Sequence, residues 1–227
     1  MKRSLAAFIL CTASLLCGDD LSSMLAPAPR RIKINNSSSL TIPLKTSGVE
    51  IVVAKDALNI TRFAAAELQS FLQKILDARI PVTDSPTSGK ITFFVGSNFW
   101  SKAAGIDVKK LSPEAFFIKR VGNKIYIAGR DGKLQNRLHG LNKNTRPENR
   151  VENTLRGGYW SQFHEHATLF GVYEFLERFA GVRFYFPHEL GTIIPRKALV
   201  LPEFDIFDRP IRSSVTSAAS TRDSGMM

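Results

Sequence analysis

Two hydrophobic periods alternate along the chain, and the switches between them mark its elements. "LTIPL" (40–44) and "VEIVVA" (49–54) are β-branched and apolar over strand lengths. Pro43 has no N–H to give to a ladder, so the first of them reads as an edge strand. In "NITRFAAAELQSFLQKILDARIP" the period becomes helical: Ala64, Ala65, Leu68, Phe71, Leu72, Ile75 and Leu76 share one face, and Pro81 lies beyond the end. "KITFFVG" is the next strand. "EAFFIKRVGNKIYIAGR" then reads as a hairpin, with Gly122 and Asn123 at the two turn positions where positive φ is expected. A second helix is predicted from about Thr168 to Phe179, ended by Gly181 in the position that favours left-handed backbone. At about 100° per residue it gathers Leu169, Val172, Tyr173, Phe175, Leu176 and Phe179 into one stripe. "VRFYF" is a following strand, "GTIIP" and "ALVLP" are short extended pieces, and "DIFDRPIR" leads out of the core.

The segments without such periods divide the chain. "MKRSLAAFILCTASLLCGDD" has two cations, an apolar run and two aspartates, the order and length of a secretory signal over 1–20. Both cysteines, Cys11 and Cys17, fall inside it, so a mature domain would have neither a disulfide nor a thiol nucleophile. Ser14 and Leu16 stand where a bacterial lipoprotein signal wants Leu and a small residue, which argues for simple export over lipid anchoring. Residues 21–39 read as a flexible lead-in, 40–210 as the domain, and 211–227 as a polar tail with no apolar face. From Arg130 to about Gln162 a long polar stretch interrupts the domain, and loops of that length are functional or disordered.

Composition narrows the chemistry. With 44% apolar and 22% charged residues, and no apolar run of spanning length, the chain reads as a globular product without a membrane span. The net charge of +11 raises nucleic acid as a partner. Export opposes that, and much of the charge sits between Arg130 and Arg156, which reads as a solvated loop. Glu174 and Glu177 are three apart among aromatics, close to the spacing of a retaining glycosidase pair. The helical projection puts them opposite the apolar stripe, with Arg178 four residues after Glu174, and solvated carboxylates beside a cation keep the low pKa that a general acid cannot use. No catalytic residue is assigned. "HEH" (164–166) reads as a polar loop end and not a metal site, because no third ligand is placed by the sequence. Trp100 reads as a cap on the core, whereas Tyr159 and Trp160, beside the basic stretch, are the better candidates for stacking on sugar rings. No nucleophile elbow, phosphate loop or dinucleotide fingerprint is present, and no cofactor is implied.

One resemblance is carried by specific residues. The order strand, "TRFAAAELQSFLQKI", "ITFFVGS", the "FFIKRVGNKIYIAGR" hairpin and "TLFGVYEFLERFAGVRFYFPHELGTIIP" resembles the N-terminal accessory domain of α-glucuronidases and related secreted glycoside hydrolases. It covers roughly residues 40–210, and "GVYEFLE" followed by "GVRFYFP" is its most specific part. The resemblance implies an α+β fold, a mixed sheet with two main helices packed on it, similar to the second domain of β-hexosaminidases. It further implies a non-catalytic accessory role in polysaccharide degradation, with the catalytic carboxylates on a following (β/α)₈ barrel. Such a barrel takes about 250 residues, so the expectation from these 227 is a chain truncated before its enzyme. Phe170, alone among the charges of the outer helix face, is the expected interdomain contact, together with "DIFDRPIR". The alternative reading is a carbohydrate-binding module acting alone.

Overall fold

The computed structural model describes residues 31–132, 150–152, 159–161, 165–186 and 189–209. A seven-stranded sheet runs through it in the order β1-β11-β5-β6-β4-β2-β3. Its strands are β1 (Arg31–Ile42), β2 (Val49–Val53), β3 (Val82–Thr83), β4 (Ile91–Val95), β5 (Phe116–Val121), β6 (Lys124–Gly129) and β11 (Leu199–Asp208). β3, β2, β4 and β6 pair in parallel, and β6, β5, β11 and β1 pair antiparallel. The fold is α+β, with a mixed sheet as expected.

Because side chains alternate across a strand, the sheet builds two cores. Ile51 and Val53, Phe93 and Val95, and Ile125 and Ile127 point to one face, which α1 (Asn59–Leu76) and α3 (Ala167–Phe175) cover. Val52, Phe94, Tyr126 and Ala128 point to the other, under the short α2 (Phe99–Ala103) and the segment after it. Burial on both faces explains why β2, β4 and β6 read as continuous apolar runs. Trp100 stacks on Phe94 at 5.4 Å between centroids and so caps this second core.

The helices follow the sequence closely. α1 buries Ala64, Ala65, Leu68, Leu72, Ile75 and Leu76, with Phe71 at the margin. In α3 Leu169, Val172 and Phe175 are buried; Leu176 is buried in the π-helical turn Leu176–Ala180 that extends it, and Tyr173 and Phe179 pack against the same core. Gly181 ends it at φ 78°. The β5–β6 turn differs in one detail. Gly122 has φ 60°, while Asn123 is not among the positive-φ residues, so a single left-handed position at the first central residue makes the turn, the primed type that requires Gly only there.

Three expectations are corrected by long-range pairing. β1 begins at Arg31, inside the stretch read as a flexible lead-in, because β11 supplies a partner for it. Its residues are exposed up to Ser39, so no apolar period announces it. It is an edge strand that stops just before Pro43, as that proline predicts. "DIFD" does not lead out of the core: it forms the end of β11, where Ile206 is fully buried. "VRFYF" contributes only β9 (Arg183–Phe184), paired with β10 (Thr192–Ile193). Within the basic stretch, β7 (Arg150–Glu152) pairs antiparallel with β8 (Tyr159–Ser161). Residues 1–30 and 210–227, read as signal, start of the lead-in and tail, lie outside the described residues.

Candidate functional site

β2, β4 and β6 run in parallel, and the loops beyond their carboxyl ends enclose a cleft of about 530 Å³. Such ends are where open α/β sheets bind ligands, and the volume is within the usual range for small-molecule sites. Asp56 and Leu58 enter it after β2, Ser97 after β4, and Arg130, Asp131 and Gly132 after β6. Thr61 of α1 and Glu165, just before α3, complete the wall.

Asp131 holds the elements around this cleft together. Its Oδ2 accepts from the Thr61 hydroxyl at 2.8 Å, and its Oδ1 accepts from the backbone N–H of Thr168 at 2.8 Å. One carboxylate therefore pins the end of β6 to α1 and caps the first turn of α3, whose N–H groups have no intrahelical partner. The Thr168 hydroxyl in turn accepts from the Gly129 N–H at 3.1 Å. That closeness needs a glycine: a Cβ on Gly129 would lie 2.5 Å from Cβ of Ala167 and 2.7 Å from the Thr168 nitrogen. Burial pushes the Asp131 carboxyl up to about 6, against the opposing pull of hydrogen bonds from Thr168 and Thr61, and the Glu114 charge adds to the rise. Glu114 is itself raised, chiefly by burial; its Oε2 accepts from the His166 N–H at 2.9 Å, and its Oε1 lies 3.5 Å from His166 Nδ1.

The residues singled out from the sequence do not converge here. Tyr159 and Trp160 lie in β8, opposite Glu152 and Val151, and their side chains are outside the description. Phe170 is 38% exposed, with its ring 4.4 Å from that of His166. Glu174 does pair with Arg178, but the face is not solvated: the Glu174 side chain is only 15% exposed, and burial beside Glu174 raises the Glu177 carboxyl. Arg183 and Arg178 pull Glu177 back down. Of the "HEH" residues, His164 lies outside the described residues, while His166 is engaged by Glu114. Among the described residues no group of three His, Cys, Asp or Glu side chains is placed to hold a metal. Arg130, read as part of a solvated loop, donates to the Leu111 carbonyl at 2.6 Å.

Sequence reasoning missed Asp131, Thr61 and Glu114. A faint signal for Asp131 existed, an acid directly after a strand in "AGRDG". Its partners are 70 and 37 residues away, and no local pattern names them.

No family model matches the chain, and no curated protein does. Solved structures to which it is similar include the GH20 exo-β-N-acetylglucosaminidase of Vibrio harveyi in complex with N-acetylglucosamine, at 17% identity and a TM-score of 0.42, over 84% of this chain and 19% of that one. CpGH84D aligns at 13% identity and a TM-score of 0.44, over 79% and 22% of the two chains. BtGH115A, a 4-O-methyl-α-glucuronidase with specificity for decorated arabinogalactans, aligns at 17% identity and a TM-score of 0.40, over 71% and 18%. The chain thus spans about a fifth of the length of these proteins. TM-scores below 0.5 decide neither fold nor function, and the α+β assignment rests on the strand order and helix packing. No helix among the described residues is long and apolar enough to cross a membrane.

Proposed function

We propose that the domain built on this seven-stranded sheet is a non-catalytic accessory domain of an exported α-glucuronidase-like glycoside hydrolase, acting in polysaccharide degradation beside a (β/α)₈ barrel that carries the catalytic carboxylates. The sequence resemblance supplies the family. Supporting it, "GVYEFLE" and "GVRFYFP" fall on α3 and the turn into β9, and the two main helices pack on one face of a mixed sheet. In this reading Tyr159 and Trp160 are the glycan contacts, and Phe170 faces the barrel.

One observation carries the non-catalytic part. Asp131 is a cleft carboxylate whose pKa burial pushes up toward that of a working general acid, and it accepts through both oxygens from the fold's own Thr61 and Thr168. A general acid has to reach a substrate atom at hydrogen-bond distance, and this one holds two helices to a strand end. The purified protein is expected to release no sugar from aryl glycosides or from uronic-acid-bearing xylan fragments. Turnover that disappears in Asp131→Asn or Glu177→Gln would overturn the reading. Sequencing the coding DNA beyond the Met227 codon tests the accessory role: a barrel in phase, or one stop or frameshift away, supports it. A stand-alone carbohydrate-binding module would instead show glycan affinity with no such frame.

A further inference from the structure

At the cleft the chain leaving β2 and the chain leaving β4 part to opposite sides. The two strands are parallel neighbours. From β2, α1 carries the chain across one face of the sheet to the edge strand β3; from β4, α2 carries it under the other face toward β5 and β6. Where adjacent connections diverge in this way a crevice is left outside the strand ends, the position at which open α/β sheets take their ligands. Two glycines shape it. Gly96, just after β4, has φ 82°, and a Cβ there would fall 2.2 Å from Cγ2 of Thr61, so the first turn of α1 can start against the strand end. Beyond β6, a Cβ on Gly132 would lie 2.2 Å from Oε2 of Glu165, which places that carboxylate over bare backbone.

The polar groups of the cleft divide into those the fold uses and those it presents. Thr61 donates to Asp131, which also accepts from Thr168. Asp56, Ser97, Lys109 and Arg130 line the cleft and are exposed, with only Nη1 of Arg130 engaged, on the Leu111 carbonyl. Together with Glu165 they bring two carboxylates, two cations and a hydroxyl to one opening, and Leu58 and Val108 add apolar wall.

Such a lining discriminates by charge. A carboxylate drawn to Lys109 and Arg130 meets Asp56, Glu165 and Asp131, while an ammonium drawn to the acids meets the two cations. The acids stand at both ends, Asp56 after β2 and Glu165 against Gly132 after β6, the strands that flank β4, so the signs are not gathered at two poles as a zwitterion needs. A hydroxyl both donates and accepts, so a neutral polyol satisfies each sign in turn.

We propose that this cleft binds an uncharged sugar ring, with Asp56, Ser97, Lys109 and Arg130 as hydroxyl partners and Leu58 and Val108 under its C–H face. The site gives the accessory domain a glycan contact apart from Tyr159 and Trp160, and it rests on the accessory reading only for the source of the sugar. Backbone amide NMR of the purified protein tests it during titration with methyl β-xyloside, glucuronate, glucosamine and alanine. The xyloside is expected to bind most tightly, with the roughly millimolar affinity of so small a ligand, and to shift amides just after β2, β4 and β6. Ser97→Ala and Lys109→Met should each weaken it about threefold or more, the value of one hydrogen bond. Lys124→Met, at the other end of β6, should not. Asp56→Asn removes one negative charge and should raise glucuronate binding relative to the xyloside. All four positions are exposed, so the fold is kept. Tighter binding of glucuronate, glucosamine or alanine to the wild type would overturn the neutral ligand, and an unchanged ratio in Asp56→Asn would overturn the charge argument behind it. Xyloside affinity unaltered in both Ser97→Ala and Lys109→Met, or no shift of these amides by any probe, would show that the cleft is not the site. Absence of a barrel frame beyond the Met227 codon would defeat the accessory reading and leave these shifts untouched.

Discussion

Replacing Asp131 by Asn changes one atom and removes one charge, and the structure fixes what should follow. The folded carboxyl titrates at about 6, against 3.8 for an ordinary aspartate. Between those pH values the folded protein holds a proton that the unfolded chain has released. The stabilisation from this group is therefore complete below pH 3.8, declines as pH rises, and is gone above about 6. The displacement corresponds to at most about 3 kcal/mol, because each pKa unit is worth about 1.4 kcal/mol. Asn carries no charge to lose. Its Oδ1 can accept from the Thr168 N–H, and its Nδ2 can donate to the Thr61 hydroxyl, so both pinning contacts survive. The opposing effect is the favourable position of a negative charge at the N-terminus of α3, about 0.3–1 kcal/mol. Desolvation outweighs it.

The assay is urea unfolding of wild type and Asp131→Asn from pH 4 to pH 7.5, taken as the difference at each pH so that groups common to both cancel. The Asn variant should gain on the wild type by about 2–3 kcal/mol over that range. Asp131→Ala should fall below Asn by about 1–3 kcal/mol at every pH, because the Thr168 N–H loses its acceptor. A difference between wild type and Asn that stays flat across the range would refute the argument, since it would mean that Asp131 is ionised and well solvated when folded.

Phe175→Ala should cost about 3–5 kcal/mol in thermal unfolding, because that ring is fully buried edge-on against Phe93. Phe170→Ser should cost under about 1 kcal/mol, its ring being 38% exposed; a larger fall for Phe170 than for Phe175 would mean that α3 is rotated. Gly129→Ala should lower the urea midpoint by the equivalent of about 1–3 kcal/mol, since the new methyl meets backbone atoms of Ala167 and Thr168 that cannot turn aside.

Much of this protein is local and was legible as such. The faces of α1 and α3, the hairpin at Gly122, the left-handed stop at Gly181 and the Glu174–Arg178 pair each depend on residues a few positions apart, whose spacing maps directly onto a helix turn or a strand pleat. Pro43 even marked an edge, because a missing N–H constrains a strand whatever its partner. The tertiary structure decided what depends on distant partners. Arg31–Asn35 carry no burial pattern and became strand only because β11, more than 160 residues later, pairs with them. The burial of Glu174 cannot be read from the helix that bears it, since a helical wheel separates faces but does not say what covers them. Asp131 and Arg120 are the clearest cases. Asp131 is one polar letter after a strand and Arg120 one alternation step within another; only the approach of α1 and α3 made the first a pinned acid, and only the distant β1, whose Ser38 carbonyl accepts from the guanidinium, made the second a buried cation with a hydrogen-bond partner. Burial and hydrogen-bond partners belong to the assembled neighbourhood, and a period of 2 or 3.6 along the chain does not encode them.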